Sequence, residues 1–242
     1  MYIHNRLGLI EATETMMAQT RRLNQVTNNL ANVDTTGYKR EDLTFWEMMY
    51  KTDNKFERVG KAIHDVTNLK EGGYMQTNNS LDLAIHGNGY FKVQTPNGER
   101  LTRAGQFLVN SEQQLVNQQG HLVLAGGGPI VINGNDVAIG KDGSVSVDGQ
   151  LAGVIEMVTA ANLDDLQKEG SNLFKIINGG AEEPATEATM SQGYLEKSNV
   201  SVMSEMTAML DLHRAYEAQQ KIVSSIDDMD GKAISRVGKL NV

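Results

Sequence analysis

The chain contains no cysteine, which excludes disulfides, thiolate metal sites and cysteine nucleophiles at once. The same lack leaves the compartment open, because a thiol-free protein works in reducing or oxidising surroundings. Aromatic residues make up only 5% of the chain, too few for an aromatic platform that stacks bases. Cationic charge is in deficit: 22 Lys and Arg stand against 30 Asp and Glu, a net charge of −8. Binding nucleic acid through phosphates needs the opposite balance. There is no uninterrupted run of about 18 apolar residues, so no membrane insertion is expected. Residues 1–6 lead directly into Glu11 and Glu14 and lack the apolar core of a secretory signal. What remains is 242 residues, 40% of them apolar, enough for one large or two small domains at roughly 100–200 residues each.

Texture changes twice along the chain. Residues 1–33 have no proline and one glycine, Gly8. Leu9, Met16, Leu23 and Leu30 recur at heptad spacing, and Ala12, Gln19, Val26 and Val33 follow three positions after each. This seam predicts a helix from Tyr2 to Val33, about 48 Å long at ~1.5 Å per residue, with a stripe that it cannot bury against itself. Thr35-Thr36-Gly37 is expected to end it, with Gly37 in a left-handed conformation. Residues 41–71 read as a connector, with an apolar cluster of Phe45, Trp46, Met48, Met49 and Tyr50 before the charged stretch 51–61.

From Gly72 the chain holds most of its 24 glycines. Short runs such as Leu83-Ala84-Ile85, Tyr90-Phe91-Lys92-Val93, Leu122-Val123-Leu124, Ile130-Val131-Ile132 and Ser144-Val145-Ser146-Val147 read as strands. Asn97-Gly98, Asn133-Gly134 and Asp148-Gly149 are tight-turn pairs, so an antiparallel all-β module is expected over 72–190. Residues 181–189 read as a polar linker. Residues 199–240 return to helical spacing, capped by Asn199 or Ser201 and with Glu205 in the first turns. One apolar row holds Leu212, Ala215, Gln219, Ile222, Ile226, Met229, Ala233 and Leu240, and Met206, Met209, Tyr216 and Val223 lie beside it. The fold class is therefore α+β: long N- and C-terminal helices forming a coiled-coil-like helical domain, and a central antiparallel β domain. Its divisions are 1–40, the connector 41–71, the β-rich 72–190, and 191–242.

Chemistry is hard to find. His4, His64, His86, His121 and His213 show no ligand spacing, and no metal site is expected. Nucleophile-elbow and phosphate-loop patterns are absent. Gly87-Asn88-Gly89 precedes a strand and lacks a third glycine, so it reads as a turn and no cofactor is expected. Asp142-Gly143 and Asp148-Gly149 lack the remaining carboxylates of a calcium loop. The sequence offers no catalytic residue. One polar cluster is unusual. Asn24, Asn28, Asn29 and Asn32 crowd the end of the first helix at a cost of roughly 2–3 kcal/mol in helix propensity. Either they mark a fraying end, or their amides bond a neighbouring chain or the β module.

Residues 28–39, Asn-Asn-Leu-Ala-Asn-Val-Asp-Thr-Thr-Gly-Tyr-Lys, resemble the N-terminal signature of bacterial flagellar rod and hook proteins. Residues 73–77, 81–91 and 102–107 are similar to the family's central motifs, and 193–200, with Glu205-Met206 and Arg214-Ala215-Tyr216-Glu217, to its C-terminal one. Tyr38 and Asp34 stand where the family pattern carries Phe and Asn. The short stretch from Lys39 to Gly72, and an end that runs through residues 233–240, favour the proximal-rod, FlgF-like type over the distal-rod, FlgG-like type. Room for a single β module argues against a full hook protein.

The resemblance implies a structural subunit of the basal-body rod, spanning the periplasm and exported through the flagellar type III apparatus without a cleaved signal. It implies assembly with copies of itself and with other rod proteins, terminal helices packed into a tube that transmits torque. The residues expected to carry self-assembly are Leu9, Met16, Leu23, Val26, Asn28, Asn29, Leu30, Asn32, Val33 and Gly37, with Met206, Met209, Leu212, Tyr216, Ile222, Val223, Ile226 and Met229 on the second helix. The competing classes are a coiled-coil adaptor and a cell-wall hydrolase. The hydrolase would need a convergent acid/base or metal set that the sequence lacks.

Overall fold

The computed structural model describes residues 2–52, 55–126 and 128–239, with side chains at 9–44, 64–126 and 128–232. The apolar cluster at 45–50 and the residues Ala233 and Leu240 of the second helix's row therefore lie outside the described side chains. The chain divides into two compact units, residues 1–31, 42–66 and 201–242 forming one and residues 32–41 and 67–200 the other.

The first unit holds two long helices, α1 (Tyr2–Ala31) and α2 (Val202–Lys239), which pack on one another. With no proline in either, nothing interrupts the backbone ladder. In α1 the hydroxyls of Thr13, Thr20 and Thr27 donate to the carbonyls of Leu9, Met16 and Leu23 at 2.8, 2.9 and 2.8 Å. The helix stops at Ala31, two residues before the expected end. There Asn32 takes over the backbone, its carbonyl accepting the Thr35 N–H at 3.2 Å and its Oδ1 the Thr35 hydroxyl at 3.1 Å. Ser201 occupies the cap position of α2, and Glu205 sits in its first turn, where the dipole favours an anion.

Residues 41–67, read from the sequence as a connector, form a two-stranded ribbon of β1 (Glu41–Thr52) and β2 (Lys55–Thr67). Its strands are long and mixed in polarity, and no period-2 alternation marks them.

The second unit is antiparallel β throughout its described pairs. Its main sheet runs in the order Leu166–Glu169, Leu173–Ile176, Gly98–Thr102, Tyr90–Thr95, Leu122–Ala125, Leu115–Asn117, Phe107–Val109. Alternation along the central strand feeds two cores. Phe91 and Val93 enter the larger, with Leu83, Ile85, Phe107, Leu115 and Val123, where the rings of Phe91 and Phe107 meet edge to face at 5.0 Å. Tyr90 points the other way and joins Leu101, Val158 and Phe174. Asp148 and Gly149 both have positive φ, +50° and +82°, the conformation that closes a two-residue hairpin; here it joins Ser144–Val147 to Gln150–Val154. The expected strand at 130–132 is only a bridge from Val131 to Gln114. The expected polar linker contains a strand, Glu182–Pro184, which pairs with Met157–Ala160.

Candidate functional site

Heptad positions on the two helices face one another. On α1, Ala12 and Val26 are buried and Met16, Gln19, Leu23 and Leu30 half-buried. On α2, a protected row runs through Glu205, Met209, Leu212, Tyr216, Gln219, Val223, Ile226 and Asp230, spaced alternately by four and three residues, with Ala208 beside it. Of the expected assembly residues, Leu9, Asn28, Met206, Ile222 and Met229 remain exposed, Met229 to 56%. The asparagines separate. Asn24 and Asn28 face solvent, while Asn29 is buried and donates through Nδ2 to Glu205 Oε2 at 3.5 Å. Its partner is thus the chain's own second helix. A carboxylate inside α2's protected row, which apolar periodicity had no means of marking, receives it.

The most heavily charged buried cluster lies in the second unit, and sequence reasoning missed it. Lys39, Arg103 and Glu196 are all but fully buried. Lys39 Nζ donates to Glu196 Oε1 and to the Lys70 carbonyl, each at 2.7 Å. The Gly72 N–H donates to the same carboxylate oxygen at 2.9 Å. Arg103 Nη1 reaches Glu196 Oε2 at 3.4 Å and the Ile85 carbonyl at 3.2 Å, and its Nη2 donates to the Gly87 carbonyl at 2.6 Å. The guanidinium lies 4.9 Å from the centre of the Tyr90 ring. One carboxylate thus holds two cations and a backbone donor from three separate segments. Burial pushes the Lys39 ammonium's pKa down, and the Glu196 charge beside it opposes that shift.

Backbone contacts complete the clamp. The Gly37 N–H donates to the Glu196 carbonyl at 2.8 Å. Gly37 has φ +66°, and a Cβ there would overlap the backbone of Arg103 and Ala104. The expected left-handed glycine is therefore present, but six residues beyond the helix end, so it shapes the turn that delivers Lys39 and does not cap α1. Gly72 and Gly105 are equally constrained, against the carbonyls of Lys197 and Leu83. Asn199, one of two expected caps of the second helix, instead accepts the Arg40 N–H at 2.7 Å and donates to the carbonyls of Asn68 and Lys70 at 2.8 and 2.9 Å. Lys168 Nζ sits 3.6 Å from the Tyr38 ring centre and donates to the Lys39 carbonyl at 2.9 Å.

A signal for this cluster was present in the sequence. Lys39, Arg103 and Glu196 are charges inside the three glycine-bearing motifs at 28–39, 102–107 and 193–200, which also carry Asp34 and Lys197. Opposite charges held in separate motifs of one fold are candidates for pairing.

Nothing in the arrangement performs chemistry. The one carboxylate of the clamp is engaged by both cations and by a backbone N–H. Among the described residues no cluster of metal-binding side chains occurs. The His86 ring lies tilted against Tyr74, centres 4.1 Å apart, and pairs with the Ser191 hydroxyl at 3.0 Å. Among the described residues no helix is long and apolar enough to cross a membrane.

Three family models match the chain in order. "Flagella basal body rod protein" covers residues 11–39, "Flagellar hook protein FlgE/F/G D1 domain" residues 84–147, and "Flagellar basal body rod FlgEFG protein C-terminal" residues 191–236. Among relatives, the flagellar basal-body rod protein FlgF of Caulobacter vibrioides is 38% identical over 93% of this chain and 95% of its own length. FlgG of the same organism is 34% identical over 92% of this chain and 96% of its own. FlgG of Bacillus subtilis is 35% identical over 86% and 90%.

Proposed function

This chain belongs to the flagellar basal-body rod protein family, and from that membership we propose that it is a proximal-rod subunit that joins copies of itself and other rod proteins in the axial tube. It is a structural protein, not an enzyme. In the proposed assembly the ends of the chain, 1–40 and 191–242, form the axial domain through coiled-coil-like packing. The β-rich part, 72–190, lies outside that tube, joined to it through 41–71. Torque passes from subunit to subunit through helix faces, with no turnover. Export proceeds through the flagellar type III apparatus, and the mature subunit resides in the basal body across the periplasm.

The observation that carries this reading is the apolar surface left on both helices. Met17 is 65% exposed and Met203 76%, with Ile10, Met206, Leu210, Ile222 and Met229 also open. Side chains of this kind in long rows mark surfaces that a partner covers. The greater identity to FlgF than to FlgG of one organism supports the proximal type.

The test is Ile226→Asp, which sets an unpaired carboxylate in α2's protected row at a cost of several kcal/mol. Residue 226 lies outside the β unit, so the variant is expected to be exported and to retain that unit, yet to be missing from isolated basal bodies. Alanine at each histidine in turn is expected to leave incorporation intact. The reverse pattern would show that helix packing is not what assembles this protein.

A further inference from the structure

A cavity of about 430 Å³ opens on the second unit, within the size range of small-ligand sites, roughly 300–1,000 Å³. Four separate segments line it, and all belong to that unit. They are the turn 34–36, Gln106 just ahead of the strand Phe107–Val109, the pair Gln118-Gln119, and the pair Ser171-Asn172. Each segment is held by bonds to the body of the unit. Asn117 is 5% exposed, and its Oδ1 accepts the N–H groups of Gln119 and His121 at 3.0 and 2.8 Å. Thr102 is 1% exposed, and its hydroxyl donates to the Asn172 carbonyl at 2.8 Å. The Thr35 carbonyl accepts the Tyr38 N–H at 3.3 Å, and Gln106 bridges to Asp82. A site fixed in this way loses little freedom when a ligand arrives.

The lining is of one chemical kind: three glutamines, an asparagine, two threonines, a serine and a single carboxylate, Asp34. Among the described residues that line it there is no cation, no aromatic ring and no aliphatic side chain. An anionic ligand would meet Asp34 without a counter-charge, and an apolar ligand would find nothing to pack on. Among the described residues, the side chains of Thr36, Gln106, Gln118, Gln119, Ser171 and Asn172 make no hydrogen bond within the chain. Elsewhere in the unit Asn110, Asn199 and Gln192 spend theirs on the fold. A carboxamide accepts through its oxygen and donates through its nitrogen. It can therefore pair two neighbouring hydroxyls of a sugar ring, which themselves both donate and accept. Peptides are held through pockets for their side chains, and this cavity has no apolar pocket for one.

We propose that this cavity binds an uncharged, hydroxyl-rich glycan segment about two sugar rings long. The carboxamides of Gln106, Gln118, Gln119 and Asn172 pair with its hydroxyl and acetamido groups, and Asp34 accepts from a hydroxyl. With no ring face for the sugar to stack on, affinity is expected on the order of 1 mM. The inference stands apart from the rod-subunit reading, which concerns the packing of helices and not a cavity of the β unit.

The experiment is an NMR titration of the purified, isotopically labelled full chain with N,N′-diacetylchitobiose. The side-chain amide signals of Gln106, Gln118, Gln119 and Asn172 are expected to shift together and to saturate. Gln119→Ala and Asn172→Ala leave the bonds that hold their turns in place, because those bonds use backbone atoms of residues 119 and 172. Each variant is expected to keep the wild-type spectrum elsewhere and to weaken binding roughly fivefold. Inorganic phosphate and a blocked trialanine are expected to give no saturating shift at these amides. No saturation by the disaccharide up to about 20 mM, shifts confined to other residues, or wild-type affinity in both variants overturns the proposal. Saturation of the four amides by phosphate or by the peptide overturns the assigned class of ligand.

Discussion

Lys39 and Glu196 stand 157 residues apart in the chain, and their side chains meet at 2.7 Å with almost no solvent exposure. Lys39 follows the turn after the first helix and Glu196 precedes the second. The pair therefore ties together, inside the β unit, the two segments from which the helices depart.

The energetics of that pair are testable. Glu196→Gln retains shape but leaves the Lys39 and Arg103 charges buried without an anion, and a loss of about 3–5 kcal/mol is expected in urea unfolding of the β unit. Adding Lys39→Met removes one of the stranded charges. The double variant should be more stable than the sum of the single losses by about 1–3 kcal/mol. Strict additivity would show that the two side chains are adjacent but not coupled.

Gly37 is a second point of control. Its positive φ and its approach to the Arg103–Ala104 backbone leave no room for a side chain, so even Gly37→Ala should cost more than about 2 kcal/mol. Valine should cost more. The loss is expected in the β unit as well as in swimming, because the turn belongs to that unit. A motile Gly37→Val strain with an unchanged unfolding midpoint would show that the turn relaxes freely.

Amide exchange should divide the monomer. Two paired helices with apolar rows open to water are less stabilised than a strand buried on both faces. Amides of α1 and α2 are expected to exchange faster than those of Tyr90–Thr95, and to gain protection on assembly. Uniform protection in the monomer would contradict the idea that the helices await partners.

Acid should act through Glu71. It accepts the Tyr74 hydroxyl and the Gly87 N–H, each at 2.7 Å. Burial alone would raise its pKa, but these two bonds and the Arg103 charge hold it below the ordinary 4.5. A carboxyl depressed in the folded state stabilises above its unfolded value, and that stability is lost as pH falls through the folded one. Unfolding midpoints should drop as pH falls below about 4.5, and Glu71→Gln should flatten that part of the profile. An unchanged slope in the variant would remove Glu71 from the acid response.

Much of the fold was legible in short-range pattern. Leu9 to Leu30 at heptad spacing, Phe91 and Val93 in alternation, and Asp148-Gly149 at a turn each express a preference that a residue carries locally. The ribbon at 41–67 was not legible, because its apolar residues follow neither period. Glu182–Pro184 was not either, since its charged side chains hide a backbone that pairs with Met157–Ala160.

By itself the sequence determined two terminal helices, a glycine-punctuated antiparallel region between them, the lack of a catalytic set, and the family to which its three motifs belong. Tertiary structure alone decided that the seam of α1 is covered by the chain's own α2, since a stripe in the sequence does not name its partner. It alone decided that Asn29 bonds Glu205. It also assigned Lys39, Arg103 and Glu196 to one buried cluster. A charge is written in the sequence, but its burial is not. Desolvation is set by what the folded chain packs around a side chain, and the cost of burying either cation is met only where Glu196 arrives.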